Sequence, residues 1–576
     1  MKLLSVSGLL LTTLLLSWTP WVSAAESVSP IRIAMRDGVE LAGALTIPDG
    51  GGPFPAIVVR TAYSHEAYAQ FGEIIRERGI AMVAVDVRGR YESHGSWEPL
   101  INAAVDGQDV LAWVAEQSWC NGMIATFGGS HDAWVQMLTA SRGAPELDTM
   151  ILVVLPGDPF ENAPFQNGVG QAPFLTWAVQ NRGRFQEPIA IDRGIYDVLA
   201  SYPVVDRDDR LGRPVGWFDT WMTNWELNQY WMDRSYEHLI QNVRVPVLLN
   251  TGWFDLNQPG SIRTFQKLRK HPDSEVREGV KLVIGPWNHS LGYLATWGEL
   301  EFAENARVDL AGSWIDWAEN QLIGAGLRQG PPVEYYLMGR NEWLSADEWP
   351  PRSTRELSLH FSSDGELATA PPPPAVESYV YDPDNPTPIV DPLPDSVGEA
   401  FGHFPHDVTI LTRRSDVLYF ETEVLRSPVA IAGPVKAEIF FSSSAPDTDV
   451  GAQLLDITPD GRAITIQHGL ARVRFRHGYT DPRELQAGEV ASVEVDMGST
   501  AYEFAAGHRI AVLVSSAQFP AFGAHRNLFD DLATGTLWQR ATQTVHMGNE
   551  SPSRLVLHQL QHPQRRHSGR RVGTRP

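Results

Sequence analysis

The sequence predicts an α/β protein: a mostly parallel sheet with helices on both faces, a helical cap inserted into it, and an all-β jelly-roll domain towards the C-terminus. Three observations carry this expectation. From about residue 30 to 330 continuous apolar runs alternate with helix-patterned segments. Between Pro156 and Arg244 a stretch rich in Trp, Asn, Arg and Asp breaks that rhythm. After about Pro332 short alternating runs are separated by Pro, Gly, Asp and Asn turns. At 576 residues and 43% hydrophobic content, the chain can bury large cores in more than one domain.

The first segment, Met1 to Ala24, combines Lys2, an apolar run from Leu3 to Leu16, the helix breaker Pro20 and a small-residue site at Val22-Ser23-Ala24. This is the pattern of a signal peptide removed after Ala24. The run is short for a bilayer span, and no later stretch approaches about 20 uninterrupted apolar residues. The expectation is a secreted or periplasmic mature chain with no stable membrane anchor after cleavage.

Residues 25–155 and 245–331 read as the sheet domain. Its buried strands are AIVVR (Ala56 to Arg60), IAMVAVDV (Ile80 to Val87), MIATF (Met123 to Phe127), MILVVL (Met150 to Leu155), VPVLLNTG (Val245 to Gly252) and KLVIG (Lys281 to Gly285). Each is continuous rather than alternating, as expected where both faces of a strand are covered. A helix between them, AAVDGQDVLAWVAEQ, spaces Val105, Val110, Leu111 and Val114 for one apolar face. Residues 156–244 hold helical patterns such as WFDTWMTNWELNQYWMDRSYEHL and no convincing strand, the mark of a helical cap over one end of the sheet. Residues 332–560 read as the β-sandwich, the tetraproline Pro371 to Pro374 as a stiff loop within it, and 561–576 as a basic solvated tail.

Composition excludes several function classes. A formal net charge of −23 argues against a nucleic-acid partner, because binding a polyanion requires clustered Lys and Arg. Cys120 is the only cysteine, so neither an intramolecular disulfide nor a cysteine zinc cluster can form. Seventeen His are present, yet no H-E-x-x-H or H-x-E…C-x-x-C spacing occurs, and no phosphate loop. No metal and no cofactor is expected. Nineteen Trp is a high count, and aromatic residues at that density often line apolar pockets as well as cores, with a core position the first reading for any single Trp.

The candidate chemistry is nucleophilic. A serine hydroxyl reacts only when a histidine takes its proton and a carboxylate stands behind the histidine. Ser130, in GGSHD, follows a predicted strand after two glycines and precedes a helix, so it would stand at a helix N-terminus that favours developing negative charge. Asp255 in NTGWFD and His289 in IGPWNH each lie just beyond an apolar strand. All three therefore fall at the carboxyl ends of sheet strands, where open α/β sheets build their sites, in the Ser, Asp, His order of the α/β-hydrolase fold. GGSHD lacks the last glycine of G-x-S-x-G, and alone it reads more readily as a capping serine in a turn; the three residues together single it out. Tyr63, in VVRTAYSHEAY after an early strand, is a candidate oxyanion donor beside the backbone N–H of His131. Read alone, a Tyr there is more often a core residue.

VVRTAYSH, VAVDVRGRYESHGSW, WVAEQSWCNGMIATFGGSHDAW, NTGWFD and VIGPWNHS resemble the cocaine-esterase and X-Pro dipeptidyl-peptidase group of serine hydrolases, relatives of glutaryl-cephalosporin acylases and α-amino-acid ester hydrolases. YYLMGRNEWLSADEWPP, YVYDPDNPTP and SSSAPDTDVGAQLLDITPDGRA extend the resemblance through the β-domain. It implies Ser130 as nucleophile, Asp255 as acid, His289 as base, and Tyr63 with the His131 N–H as oxyanion hole. Two departures stand out. The group usually carries Tyr and then Gly where this chain has His131 and Ala133, and Leu256, Asn257 and Gln258 replace the acidic run by which α-amino-acid ester hydrolases capture an amine.

The resulting expectation is an exported enzyme cleaving a small ester or amide through an acyl-enzyme. Two alternatives stay open: an X-Pro dipeptidyl peptidase acting on short peptides, and a carbohydrate- or surface-binding protein with a decayed site. Assembly into a homo-oligomer is left open as well.

Overall fold

The six apolar runs become the middle of one ten-stranded sheet. In spatial order its strands are Val28–Ala34, Glu40–Thr46, Ala81–Asp86, Phe54–Thr61, Cys120–Gly129, Thr149–Val153, Val247–Phe254, Val280–Asn288, Val333–Leu337 and Glu342–Ala346. The computed structural model describes residues 28–188, 194–292, 294–324, 330–393 and 405–561. The N-terminal segment read above as a signal peptide and the basic tail from residue 562 onward lie outside the described residues.

The central pairs are parallel, with Ala56 against Ala81, Ile57 against Ala125, Met150 against Val247 and Leu282 against Leu249. Helices cover both faces of these strands, which is why their sequence is apolar without alternation. The two edges are antiparallel. The strands at the first edge, SPIRIA and ELAGALT, mix polar and apolar residues, so their run gave no buried-strand signal.

Three expectations need correcting. The boundary at 331/332 cuts through this sheet: Val333–Leu337 pairs in parallel with Val280–Asn288, so it and its neighbour belong to the α/β layer, not to the β-sandwich. Val105 does not face inward; it is 38% exposed on the helix Ala103–Ala115. The inward stripe runs instead through Asp106, Gly107, Val110, Leu111 and Val114. Gly107 is needed there, because a Cβ would stand 2.1 Å from the Thr139 hydroxyl and 2.6 Å from the Arg60 guanidinium. Asp106 is buried because it binds Arg88 at 2.6 Å. Finally, the cap is not free of strands: Phe165–Gln166 and Val169–Gly170 form a small hairpin beside the helices Ala172–Gln180, Gly194–Ala200 and Gly216–Thr223.

The cap owns an aromatic core in which Trp217, Trp221, Trp231, Phe160 and Phe165 pack with Phe475 and Phe519 of the β-domain. That domain is a sandwich of a seven-stranded and a four-stranded antiparallel sheet. Its long strand Val429–Ser443 pairs with Ala491–Phe504 and Arg554–Leu560. The sandwich is fastened to the α/β layer by buried amides. Gln258 exchanges hydrogen bonds with the Ser499 backbone, N–H to Oε1 at 2.9 Å and Nε2 to C=O at 2.5 Å, and Gln467 donates to the Trp253 carbonyl at 3.2 Å. Among the described residues no helix is long and apolar enough to cross a membrane.

Candidate active site

Strand Cys120–Gly129 runs directly into helix His131–Ser141, with Ser130 between them at φ 58°, ψ −121°. A side chain in this region of backbone space is strained by about 1–3 kcal/mol, and the surroundings must hold it there. They do so with three backbone hydrogen bonds: Ser130 N–H to the Val153 carbonyl at 2.9 Å, and its own carbonyl accepting from Ala133 and Trp134 at 3.0 Å each. Gly128 makes the sharp entry feasible, since a Cβ there would lie 2.7 Å from the Cβ of Asp132. Every residue of the helix from His131 to Ser141 is buried, so the turn cannot relax by shifting it.

The strand Val247–Phe254 ends at Asp255, which is 1% exposed. Its Oδ2 accepts from the Thr251 hydroxyl at 2.8 Å, and its Oδ1 from the Asn257 N–H at 3.0 Å. The same Oδ1 lies 2.7 Å from Nδ1 of His289, whose Nε2 lies 3.1 Å from the Ser130 hydroxyl oxygen. An acceptor-only carboxylate assigns the Nδ1 proton to His289, which leaves Nε2 to accept from Ser130. The structure thus brings together Ser130, His289 and Asp255 in one hydrogen-bonded line.

Tyr63 arrives at the same place from the end of strand Phe54–Thr61. Its phenol oxygen accepts from Nε1–H of Trp177 at 3.0 Å, a cap residue that nothing in the sequence singled out. With one lone pair taken by Trp177, the phenolic proton remains available to donate. Desolvation raises the phenol's pKa, with the Asp132 charge adding to it, so Tyr63 stays a neutral donor at any working pH. The backbone N–H of His131 sits in the first turn of its helix, where no intrahelical acceptor exists.

The His131 ring is 4% exposed, stacks at 6.1 Å on Trp177 and meets Trp97 edge-on at 5.6 Å. Its Nδ1 turns to Asp132 at 3.3 Å, so it does not compete for the Ser130 proton. Asp132 is a second residue the sequence did not reveal as part of the site. Its carboxylate accepts from the Tyr68 hydroxyl at 2.9 Å and the Ala62 N–H at 3.3 Å, fixing the backbone just before Tyr63. Arg90 is a third. Fully buried, it donates to the Ala62 carbonyl at 2.8 Å and to Asn181 and Gly183 of the cap, so it ties the cap to the Tyr63 segment.

The family model for the X-Pro dipeptidyl-peptidase (S15 family) matches residues 37–291, and that for the X-Pro dipeptidyl-peptidase C-terminal non-catalytic domain matches residues 325–556. The chain belongs to the S15 family. It is a serine hydrolase. A cocaine esterase of Rhodococcus sp. (strain MB1 Bresler) is 29% identical over 581 residues, covering 92% of this chain and 98% of that protein. Two solved structures share the whole fold. An aminopeptidase from the marine sediment archaeon Thaumarchaeota archaeon has a TM-score of 0.83 at 24% identity, covering 95% of this chain and 98% of its own. An α-amino acid ester hydrolase has a TM-score of 0.82 at 23% identity, covering 94% and 98%.

In this S15 hydrolase the hydroxyl of Ser130 opens into a pocket of about 140 Å³ roofed by the cap. Its walls are aromatic: Trp134, Phe174, Trp177, Trp221, Phe254 and Trp297. Among the described residues that line it there is no Asp, Glu, Lys or Arg. Leu256 and Asn257 occupy the wall just past Asp255. No cluster of three or more His, Cys, Asp or Glu side chains able to hold a metal ion occurs among the described residues.

Proposed function

We propose that this S15 hydrolase is an exported enzyme that cleaves small esters or amides of neutral, apolar acids through an acyl-enzyme. The observation that carries the reading is the Ser130–His289–Asp255 line at the mouth of an aromatic pocket without a charged wall. His289 Nε2 takes the Ser130 proton as Oγ attacks the carbonyl, then returns it to the leaving group. Asp255, held by Thr251 and Asn257, keeps the imidazole oriented and stabilises its cationic form. The Tyr63 hydroxyl and the His131 N–H receive the oxyanion.

The acyl preference follows from charge. An α-amino acyl group or a peptide N-terminus brings an ammonium, which is costly to bury unless a carboxylate pairs with it. No such carboxylate lines this pocket. The family description favours a second reading, X-Pro dipeptidyl-peptidase activity, which requires that ammonium to be held. The test is a panel of p-nitrophenyl esters of neutral acids, aminoacyl esters and X-Pro p-nitroanilides on purified protein. The neutral esters should exceed the cationic substrates in kcat/KM by about 10-fold to 100-fold, the cost of an unpaired buried group. Preference for the X-Pro amide would overturn the esterase reading. Ser130→Ala should abolish turnover and labelling by a serine-directed phosphonate, and wild-type levels of either in that variant would displace Ser130 from the mechanism.

Export is supported by Lys2, the Leu3 to Leu16 run and the Val22-Ser23-Ala24 site. N-terminal sequencing of the enzyme recovered outside the cytoplasm should begin at Ala25, and recovery of the uncut chain in the cytoplasm would refute it.

A further inference from the structure

Among the described residues, a buried arginine outside the catalytic machinery has no counter-ion. Arg207, in a short helical turn of the cap, is 5% exposed. Its Nε donates to the Ser201 carbonyl at 3.2 Å, while Nη2 is buried with no hydrogen-bond partner. Among the described residues no carboxylate pairs with it. Two other arginines that line the same cavity differ in this respect: Arg472 is held by both oxygens of Asp449 at 2.9 and 3.0 Å, and Arg526 by Asp530 at 2.6 and 2.8 Å. Burial lowers the Arg207 pKa to about 10, with Arg210 and Arg472 adding to the depression, and the group is still a cation at neutral pH.

Arg207 is one of the residues that line a cavity of about 70 Å³ between the cap and the β-domain. Gly523, which lines the same cavity, leaves its face open: a Cβ there would sit 3.2 Å from Nη1 of Arg207 and 3.8 Å from Nη2. Much of the remaining lining is apolar, including Phe165, Phe174, Leu175, Phe218 and Met222, and it also carries the paired Arg472 and Arg526. Phe174 also lines the catalytic pocket, so one ring separates the two spaces. An isolated buried cation is expensive unless an anion answers it, and a guanidinium presents paired donors that match a carboxylate.

We propose that this cavity is a second binding site, distinct from the catalytic pocket, for a short-chain monocarboxylate such as acetate or propionate. The carboxylate would lie on the open face of Arg207 and the alkyl end among the rings. The volume sets the size: a water takes about 30 Å³ of liquid and an apolar cavity of about 150 Å³ holds benzene, so about 70 Å³ suits a few heavy atoms and not an aromatic acid. A short acid of this kind is what a serine hydrolase releases from a short acyl ester, so the site is placed to respond to such a product across Phe174.

Isothermal titration of the full-length protein with sodium acetate and sodium propionate, at constant ionic strength and pH 7, tests this. Phosphonate-labelled protein run in parallel removes the contribution of the catalytic pocket. If no labelling occurs the catalytic reading fails, while the titration still reports on Arg207. The expected result is saturable one-to-one binding of both acids, retained after labelling, at least 10-fold weaker in Arg207→Met and unchanged in the surface control Arg210→Met. Gly523→Ala guards against a folding defect: its Cβ crowds the guanidinium without removing the charge, and it should weaken binding while the thermal midpoint is kept. No saturable heat in the wild type, or equal binding in Arg207→Met, overturns the proposal. Displacement by chloride at the same concentration as acetate overturns the carboxylate assignment.

Discussion

At the scale of single residues, the site depends on side chains that are fixed before substrate arrives. Tyr63 is held by Trp177 from above and kept neutral by burial, so its proton needs no reorganisation to meet an oxyanion. Tyr63→Phe should therefore lower kcat by about 10²-fold to 10³-fold, the usual loss for one oxyanion donor, with KM for a p-nitrophenyl ester changed much less. A rise in KM with kcat unchanged would place Tyr63 in ground-state binding instead. Ser130, Asp255, His289 and Tyr63 were legible because each follows an apolar strand, and strand ends are local features. Trp177, Asp132 and Arg90 were not, because their partners lie far away in the chain: Trp177 meets Tyr63 across 114 positions and Arg90 meets Asn181 across 91. No periodicity records such a meeting.

At the scale of elements, the cap leaves the sheet domain near Asp158 and returns near Glu237, and these two ends are joined by hydrogen bonds. The Asp158 carboxyl accepts from the Ser235 hydroxyl and from the N–H groups of Tyr236 and Glu237 at 3.3 and 3.4 Å. The Glu237 carboxylate pairs with Lys267. Burial first, and the adjacent Glu237 charge second, push the Asp158 pKa up to about 7. Folded protein then keeps a proton that the unfolded chain releases near the ordinary carboxylate value, so this group's contribution to stability falls as pH rises from about 4 to about 7. Asp158→Asn keeps the neutral form and removes that slope. The thermal midpoint of the variant should gain on the wild type between pH 5 and pH 8, and parallel midpoints at the two pH values would show that Asp158 ionises freely. The helix Ala103–Ala115 carries a related lesson. Apolar spacing placed Val105 inward, but the partners Arg88, Arg60 and Thr139 drew Asp106 and Gly107 to that face instead.

At the scale of the whole molecule, the α/β layer and the sandwich share one hydrophobic core. Trp253, Tyr335 and Trp349 on one side and Val495, Met497 and Tyr502 on the other belong to a continuous buried cluster. Removing the sandwich would leave Trp253 and Trp349 facing water and strip Gln258 of its Ser499 partner and the Trp253 carbonyl of Gln467. Scanning calorimetry should show one cooperative transition for the full chain, and a fragment ending at Pro350 should be insoluble. Two separated transitions would show that the layers fold independently. By itself the sequence determined the runs that become strands, the helical character of the cap, the β character of the C-terminal half and the strand-end positions of Ser130, Asp255 and His289. All of these follow from local pattern, since burial on one or two faces dictates the spacing of apolar residues. Only the tertiary structure decided that strands Val333–Leu337 and Glu342–Ala346 complete the α/β sheet, that Trp177 steadies Tyr63, and that Arg207 is buried without a counter-ion among the described residues. The reason is physical: a residue's pattern states whether it is buried, while its partner depends on which distant segment the folded chain brings within hydrogen-bonding distance.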